Sequence, residues 1–172
     1  MGVSGESLGN EAAAAKPFSM NVHTLTQVQD LPLPPAELWA VMSCPEIVGS
    51  ITPLEAGFVM TGDHSGRLYE SRLLHYRLRI LPGVWVDWLA EIKALEEGRT
   101  FVDEQRTGPF AFWHHRHTLE AIPGGTRMTD HVHYVLPLQP LGELAHPLVR
   151  PRLEQIFRYR REALVKRFGS LV

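Results

Sequence analysis

Residues 112–134 read FWHHRHTLEAIPGGTRMTDHVHY, and their pattern is typical of a β-hairpin. Side chains alternate between the two faces of a strand, so Trp113, His115 and His117 share one face of the first predicted strand. A Pro-Gly turn separates this strand from a second one, which carries Asp130. How the two strands pair decides which groups meet the histidines, and therefore what chemistry the hairpin can support.

Two pairings of these strands are open, and they differ by one residue in the length of the turn. A two-residue turn joins apolar face to apolar face. Its opposite pairs are Ile122 with Gly125, His117 with Asp130, His115 with Val132, and Trp113 with Tyr134. A longer turn would form a cluster of four histidines suited to a metal ion: His115, His117, His131 and His133. Because a one-residue slip turns a whole strand inside out, the apolar pattern favours the two-residue turn.

The favoured pairing sets His117 directly across from Asp130. A carboxylate beside an imidazole orients the ring and favours its charged form. Inside an apolar cavity, such a pair can orient a ligand or move a proton. The plainer alternative is that these polar side chains satisfy one another within a core and contact no ligand.

The size of the chain bounds its class. Its 172 residues suffice for one domain with a substantial core, which we predict over residues 20–170. Residues 1–19 are rich in Gly, Ser, Ala and Glu, and are predicted to be a disordered extension. A net charge of −2 gives no reason to expect nucleic acid as a partner.

The cysteine content and the apolar runs bear on the compartment. The single cysteine, Cys44, excludes an internal disulfide, so a reducing interior, the cytoplasm, is the expected location. No apolar run approaches the roughly 20 residues needed to cross a bilayer, so no stable membrane insertion is expected. A homodimer is left open by the sequence.

The remaining periodicity predicts an α+β chain. The predicted elements are a strand over 22–29, a helix over 36–43, a short helix over 45–51, a strand over 67–80, a strand over 100–106, and a helix over 143–168. A three-residue turn after the 67–80 strand would set Tyr76 opposite Trp88. The last helix has an apolar stripe of Leu144, Leu148, Ile156, Phe157, Leu164 and Phe168.

These elements predict a curved antiparallel β-sheet wrapped around the long C-terminal helix, with two short helices after the first strand. An amphipathic helix needs an apolar surface to cover, and one face of such a sheet offers it. The space between sheet and helix is the natural place for a ligand. From the turns alone, either Asp103 and Gln105 or Glu104 could point into that space.

Several short motifs in order carry a family resemblance. They are Phe101-Val102-Asp103-Glu104-Gln105, Gly108-Pro109-Phe110, Trp113-His114-His115-Arg116-His117, Gly125-Thr126 with Asp130, and Tyr134-Val135-Leu136-Pro137. Over roughly residues 21–168 the chain resembles the START-like superfamily, whose helix-grip fold is shared by birch-pollen-allergen proteins, lipid-transfer domains and polyketide cyclases. It is most similar to the bacterial ligand-binding SRPBCC proteins. The resemblance implies a cavity without a defined reaction, and it implies that Asp103 and Gln105 point inward as partners of the histidines.

The first functional hypothesis is the binding of a small, largely apolar molecule, such as a lipid, a fatty acid or an aromatic, polyketide-like metabolite. A few oriented polar groups among aromatic side chains are typical of such sites. The candidate ligand-binding residues are Tyr76, Trp88, Phe101, Asp103, Gln105, Trp113, His115, His117, Asp130 and Tyr134. No cofactor and no metal are expected.

The alternative hypotheses need less common arrangements. An enzyme of the cyclase, dehydratase or hydrolase type would use His117 and Asp130 as a general-base pair, with His115 or Tyr134 as the acid. The chain has no nucleophile motif, phosphate loop or cofactor fingerprint. In the favoured pairing the two His-x-His pairs, His115 with His117 and His131 with His133, lie on opposite faces of the hairpin, so each pair offers two ligands where zinc usually takes three or four. The basic face of the last helix is typical of a solvated surface.

Overall fold

The computed structural model describes residues 20–52, 57–81 and 83–171. The elements are β1 (His23–Leu31), α1 (Pro35–Met42), α2 (Glu46–Ser50), β2 (Phe58–Thr61), β3 (Leu73–Leu81), β4 (Val84–Glu96), β5 (Thr100–Thr107), β6 (Phe112–Ile122), β7 (Gly125–Val135), a 3-10 helix (Leu141–Ala145) and α3 (His146–Phe168). The predicted disordered extension, residues 1–19, lies outside the described residues.

The seven strands form one antiparallel sheet in the order β1-β7-β6-β5-β4-β3-β2. The register shifts between β3 and β4 and twice between β4 and β5. Such irregularities bend a strand and increase its twist, which lets the sheet curve. One of them contains Ala94 at φ 46°, a left-handed conformation that is uncommon for a residue with a side chain.

The long helix α3 crosses the concave face of this sheet. Its buried residues Leu153, Phe157 and Leu164 recur at helical spacing, so they share one face. Leu153 and Phe157 pack with residues of β6 and β7 that include Trp113 and Val132. Leu164 joins a second group with the apolar faces of α1 and α2. This is the predicted helix-grip arrangement, with two short helices after β1.

The predicted strand registers are confirmed. The β6–β7 turn aligns Ile122 with Gly125, so His117 faces Asp130 and the two-residue turn is the one formed. The β3–β4 pairing likewise sets Tyr76 opposite Trp88. Both predictions depended on matching apolar faces, which a one-residue slip would have exposed to water.

The strand predicted over residues 67–80 begins only at Leu73, so its first part was wrong. Ser71 has φ 66° in the turn before the strand. The side chain of Arg72 is buried, and its guanidinium donates to the carbonyls of Arg67 at 2.6 Å and Ser65 at 2.9 Å. A loop folded around a buried arginine takes the place of the expected extended chain.

The start of the C-terminal helix also differs from the prediction. Residues Leu141–Ala145 form a 3-10 helix, and α3 begins at His146. Leu144 and Leu148, which were predicted to belong to the apolar stripe, are 81% and 78% exposed. The packed stripe starts at Leu153, because the first turns of the helix extend beyond the core.

Candidate functional site

A cavity of about 580 Å³ lies between the concave face of the sheet and α3. Its lining is mostly apolar and comes from the sheet, α1, α2 and α3. Lining residues that are also exposed to solvent mark its mouth: Arg79, Ile80, Pro137, Leu138, Ala145, Leu148 and Arg152. The mouth therefore lies between the end of β3 and the region around the 3-10 helix.

Eight of the ten residues predicted to bind a ligand line this cavity. They are Tyr76, Trp88, Phe101, Asp103, Trp113, His115, His117 and Asp130. The sheet brings them together because each lies on an inward position of its strand, and inward positions of neighbouring strands stand side by side. Gln105 and Tyr134 are not among the lining residues.

Four of these side chains form what we call the carboxylate–histidine ring: Asp103, His115, His117 and Asp130. Adjacent strands place Asp103 of β5 opposite His115 of β6, and His117 of β6 opposite Asp130 of β7. His115 Nε2 lies 3.0 Å from Asp130 Oδ1, and His117 Nε2 lies 3.2 Å from Asp103 Oδ2. The second nitrogens also reach carboxylates, with His117 Nδ1 2.8 Å from Asp130 Oδ1 and His115 Nδ1 3.2 Å from Asp103 Oδ2.

Neighbouring groups hold the ring in place. Trp113 Nε1–H donates to Asp103 Oδ1 at 3.0 Å. The ring of Phe101 stacks on that of His117, with centroids 4.3 Å apart. Every imidazole nitrogen of the ring thus faces a carboxylate oxygen. The ring satisfies most of its own polar atoms, which is how such groups are normally accommodated in a protein interior.

The pKa values within the ring follow from burial and from these contacts. Burial alone favours the neutral form of His117, but hydrogen bonds and charge interactions with Asp103 and Asp130 outweigh it and raise the pKa of His117 to about 9. Burial likewise opposes ionisation of the two aspartates, yet the neighbouring imidazoles hold the pKa of each well below its usual value. At neutral pH the ring therefore contains an imidazolium between two carboxylates.

The ring also has the donor set of a metal site. One ligand atom each from Asp103, His115 and His117 lies within 4.8 Å of the others. A metal ion would need His117 in its neutral form. Binding at neutral pH must therefore displace the imidazolium proton of His117, which the two aspartates stabilise. The donor atoms suit a metal ion, but the protonation of His117 at neutral pH opposes metal binding. The absence of a metal stays a prediction.

Gln105 was predicted to be an inward partner of the histidines. Its strand position is inward, opposite Ala90, but its side chain forms its hydrogen bonds with Phe110 and not with the histidines. Its amide nitrogen donates to the carbonyl of Phe110 at 2.7 Å, and its amide oxygen accepts from the Phe110 N–H at 3.3 Å. Gln105 therefore braces the turn between β5 and β6. The neighbouring Glu104 pairs with Arg106 at 3.5 Å, so Asp103 is the acidic residue of β5 that faces the cavity.

Tyr134 was predicted to contact a ligand, but it is not among the residues that line the cavity. Its hydroxyl lies 3.3 Å from Nε2 of His146, the first residue of α3. His146 in turn stacks on His23 of β1 at 3.8 Å. Tyr134 thus helps to anchor the beginning of α3 to the sheet, and it is not placed to act as an acid on a bound molecule.

Arg160 of α3 also lines the cavity and was not among the predicted site residues. The basic residues of the last helix were all assigned to a solvated face. Arg160 follows Leu153 by seven residues and precedes Leu164 by four, so helical spacing alone puts it on the buried face of α3. Its guanidinium lies 5.5 Å from the ring of Phe157, and its Nη2 lies 3.4 Å from Thr52 Oγ1.

The chain shares its fold with several solved structures. An aromatase/cyclase, ZhuI from Streptomyces sp. R1128, has 12% identity and a TM-score of 0.64, and the match covers 86% of this chain and 93% of that one. A START superfamily protein from Mycobacterium smegmatis has 16% identity and a TM-score of 0.61, with 85% and 97% covered. The di-domain aromatase/cyclase BexL of the BE-7585A biosynthetic pathway has 15% identity and a TM-score of 0.65, with 88% and 51% covered.

These likenesses confirm the helix-grip fold. None of the curated proteins matches this chain in sequence. Within the part of the chain that the structure describes, no helix is long and apolar enough to cross a membrane. A family model matches residues 30–168, most of the chain, and the protein therefore belongs to the family described as a domain of unknown function, DUF8410.

Proposed function

We propose that this protein binds a small, largely apolar molecule in the cavity between the sheet and α3. The observation that carries the proposal is the cavity itself, about 580 Å³ in volume and lined mainly by apolar side chains. Small-molecule sites usually measure about 300–1,000 Å³ and combine an apolar lining with a few polar groups. Apolar lining of this extent favours an apolar ligand, because covering such surface removes it from water.

The aromatic side chains supply the apolar contact in this proposal. Trp88 and Trp113 meet edge to face at 5.1 Å, and Phe101 and Tyr76 extend the same wall. Lipids, fatty acids and aromatic or polyketide-like metabolites all present the apolar surface that such a wall accommodates. The fold shared with a START superfamily protein supports ligand binding of this kind.

The carboxylate–histidine ring supplies the polar wall. Its four members are locked by contacts with one another, so the ring offers a ligand few free atoms and a fixed geometry. A carboxylate can accept about four hydrogen bonds, so Asp130 Oδ2 retains the capacity to accept one from a ligand hydroxyl. In the proposal the ring orients the bound molecule rather than reacting with it.

Native mass spectrometry of the purified protein, followed by denaturing extraction, tests this proposal. We expect a co-purified apolar or amphipathic molecule at up to one copy per chain. Ala90 is buried and lines the cavity, so Ala90→Phe should fill the space and reduce the bound fraction at least fivefold. Ala111 is exposed, so Ala111→Phe is the matched control. Equal occupancy in both variants would contradict the proposed site.

The alternative function, catalysis by a His117–Asp130 general base, is less well supported. A general base must be unprotonated at the working pH, and the pKa of His117 is raised to about 9 by its two carboxylate partners. At neutral pH His117 would donate a proton rather than accept one. Two of the similar structures are aromatase/cyclases by name, and at 12% and 15% identity they support the fold alone.

A further inference from the structure

Most polar groups on the cavity wall already have partners in the protein. The carboxylate–histidine ring is closed on itself, and Trp113 covers one oxygen of Asp103. The side-chain amide of Gln27 donates to the carbonyl of Phe157 at 3.0 Å. These groups offer a ligand little unsatisfied hydrogen-bonding capacity. Among the described lining residues, the buried side-chain atoms that make no hydrogen bond are His117 Nδ1, which lies 2.8 Å from Asp130 Oδ1, and Arg160 Nε.

Among the described residues, no carboxylate forms a hydrogen bond with Arg160, although Asp130 and Asp103 attract its charge at longer range. A guanidinium has five N–H donors, and those of Arg160 make a single hydrogen bond to the described part of the protein, at 3.4 Å to Thr52. Its Nε is buried and meets no acceptor there. A cation removed from water without a hydrogen-bonded anion is costly, so this position favours an anionic partner.

Tyr76 supplies a second free donor on the same wall. It is 7% exposed and lines the cavity, and no hydrogen bond joins its hydroxyl to another described residue. Burial raises the pKa of Tyr76 well above its ordinary value, so the hydroxyl keeps its proton. Tyr76 and Arg160 line the same cavity, as do Asp103 and Asp130.

We propose, on the basis of the function proposed above, that the ligand is an acid: an apolar body with one carboxylate, held by Arg160 with the Tyr76 hydroxyl as a second donor. A planar guanidinium binds the two oxygens of a carboxylate in parallel. The charge of Arg160 matches one negative charge, whereas a doubly charged phosphate usually takes more cations. The apolar lining takes up the rest of the molecule, and the mouth lies next to two further arginines, Arg79 and Arg152.

Matched pairs of probes test the proposal. The probes are decanoate with decanamide, and naphthalene-2-acetate with its primary amide, each pair differing in charge but hardly in shape. Binding is followed by the fluorescence of Trp88 and Trp113, which line the cavity, and by isothermal titration calorimetry. We expect the wild-type protein to bind the acid of at least one pair more than tenfold tighter than the amide at pH 7.

Variants of Arg160 separate charge recognition from packing. Arg160→Met should weaken acid binding at least tenfold and change amide binding less than twofold, and Arg160→Lys should retain part of the preference. Tyr76→Phe should weaken acid binding severalfold. Arg158 is exposed on the same helix, so Arg158→Met is the matched control and should leave both affinities unchanged. Circular dichroism and the melting temperature show that each variant is folded.

The possible results distinguish this inference from the function on which it rests. Equal affinity for acid and amide, or an acid preference that survives Arg160→Met, would overturn the carboxylate site while leaving a ligand-binding cavity intact. A neutral lipid extracted from the purified protein would do the same. Failure of every probe to bind would overturn the inference, and an empty protein in native mass spectrometry would in addition count against the proposed function.

Discussion

The hairpin of β6 and β7 carries histidines on both of its faces, and the pKa values of these histidines shift in opposite directions on the two faces. On the inner face, carboxylates raise the pKa of His117 to about 9. On the outer face, burial lowers the pKa values of His114 and His131, and their neighbours His133 and Arg116 lower them further. The residue type is identical and the positions lie a few ångströms apart along the strands. What differs is whether the neighbouring groups are anions or cations, so the face of the sheet determines the direction in which the histidine pKa shifts.

The largest effect should come from removing one carboxylate of the inner face. Asp130→Asn keeps the shape but leaves a buried imidazolium with one anion fewer, which costs about 3–5 kcal/mol when a buried ion pair is broken. We expect the free energy of unfolding in urea to fall by that order. The pKa of His117, followed by NMR, should fall as well, because an oriented anion is lost.

An exposed ion pair serves as the control for this substitution. Asp87 lies 3.6 Å from His75 on the outer face, and its side chain is 64% exposed. Asp87→Asn should change the free energy of unfolding by no more than about 1 kcal/mol. If Asp130→Asn left the pKa of His117 unchanged, the two side chains would not interact. The inner face would then lack the carboxylate–histidine interaction that distinguishes it from the outer face.

The next effect concerns the dependence of stability on pH. The folded pKa of His117 is about 9, above an unfolded value near 6.5, so its stabilisation is complete below about pH 6.5 and is lost as the pH rises through 9. The difference corresponds to roughly 3 kcal/mol. Urea unfolding at several pH values between 6 and 9.5 should show this decline. His117→Gln should be less stable at pH 6 and should flatten the curve over that range.

The smallest effect should come from the outer face, with the opposite sign. A histidine with a lowered pKa contributes stability above its unfolded value and loses it as the pH falls, so His131→Gln should help the protein only in acid. We expect a gain of no more than about 0.5 kcal/mol at pH 5.5 and no change at pH 8. The melting temperature at both values measures it. A loss at pH 5.5 would contradict the contrast between the two faces.

The sequence predicted the hairpin and its inner face well, because two independent constraints coincide there. The Pro-Gly turn limits the register, and the alternation of Trp113, His115 and His117 leaves one pairing that buries the apolar faces together. The turns alone did not decide whether Asp103 or Glu104 faces the cavity. The family resemblance indicated Asp103, which is the residue that lines it. The same resemblance implied that Gln105 is a partner of the histidines, whereas its amide is hydrogen-bonded to the backbone of Phe110.

Other parts of the site depend on tertiary contacts that periodicity does not report. The loop before β3 follows from carbonyl groups that gather around the buried guanidinium of Arg72. Leu144 and Leu148 continue an apolar pattern past the end of the core, where they are exposed. Arg160 has the helical spacing of a buried residue but the charge of a surface residue. Because of its charge, it was predicted to lie on the solvated face of the helix.

The carboxylate–histidine ring also has a consequence for how the chain folds. It takes side chains from β5, β6 and β7, so it closes only when all three strands are aligned in the native register. A slip of one residue would turn Asp130 to the outer face and leave two imidazoles beside one carboxylate, a mismatch that costs several kcal/mol. The ring therefore acts against misaligned sheets as much as it stabilises the correct one, and it makes the ordering of three strands a single cooperative event.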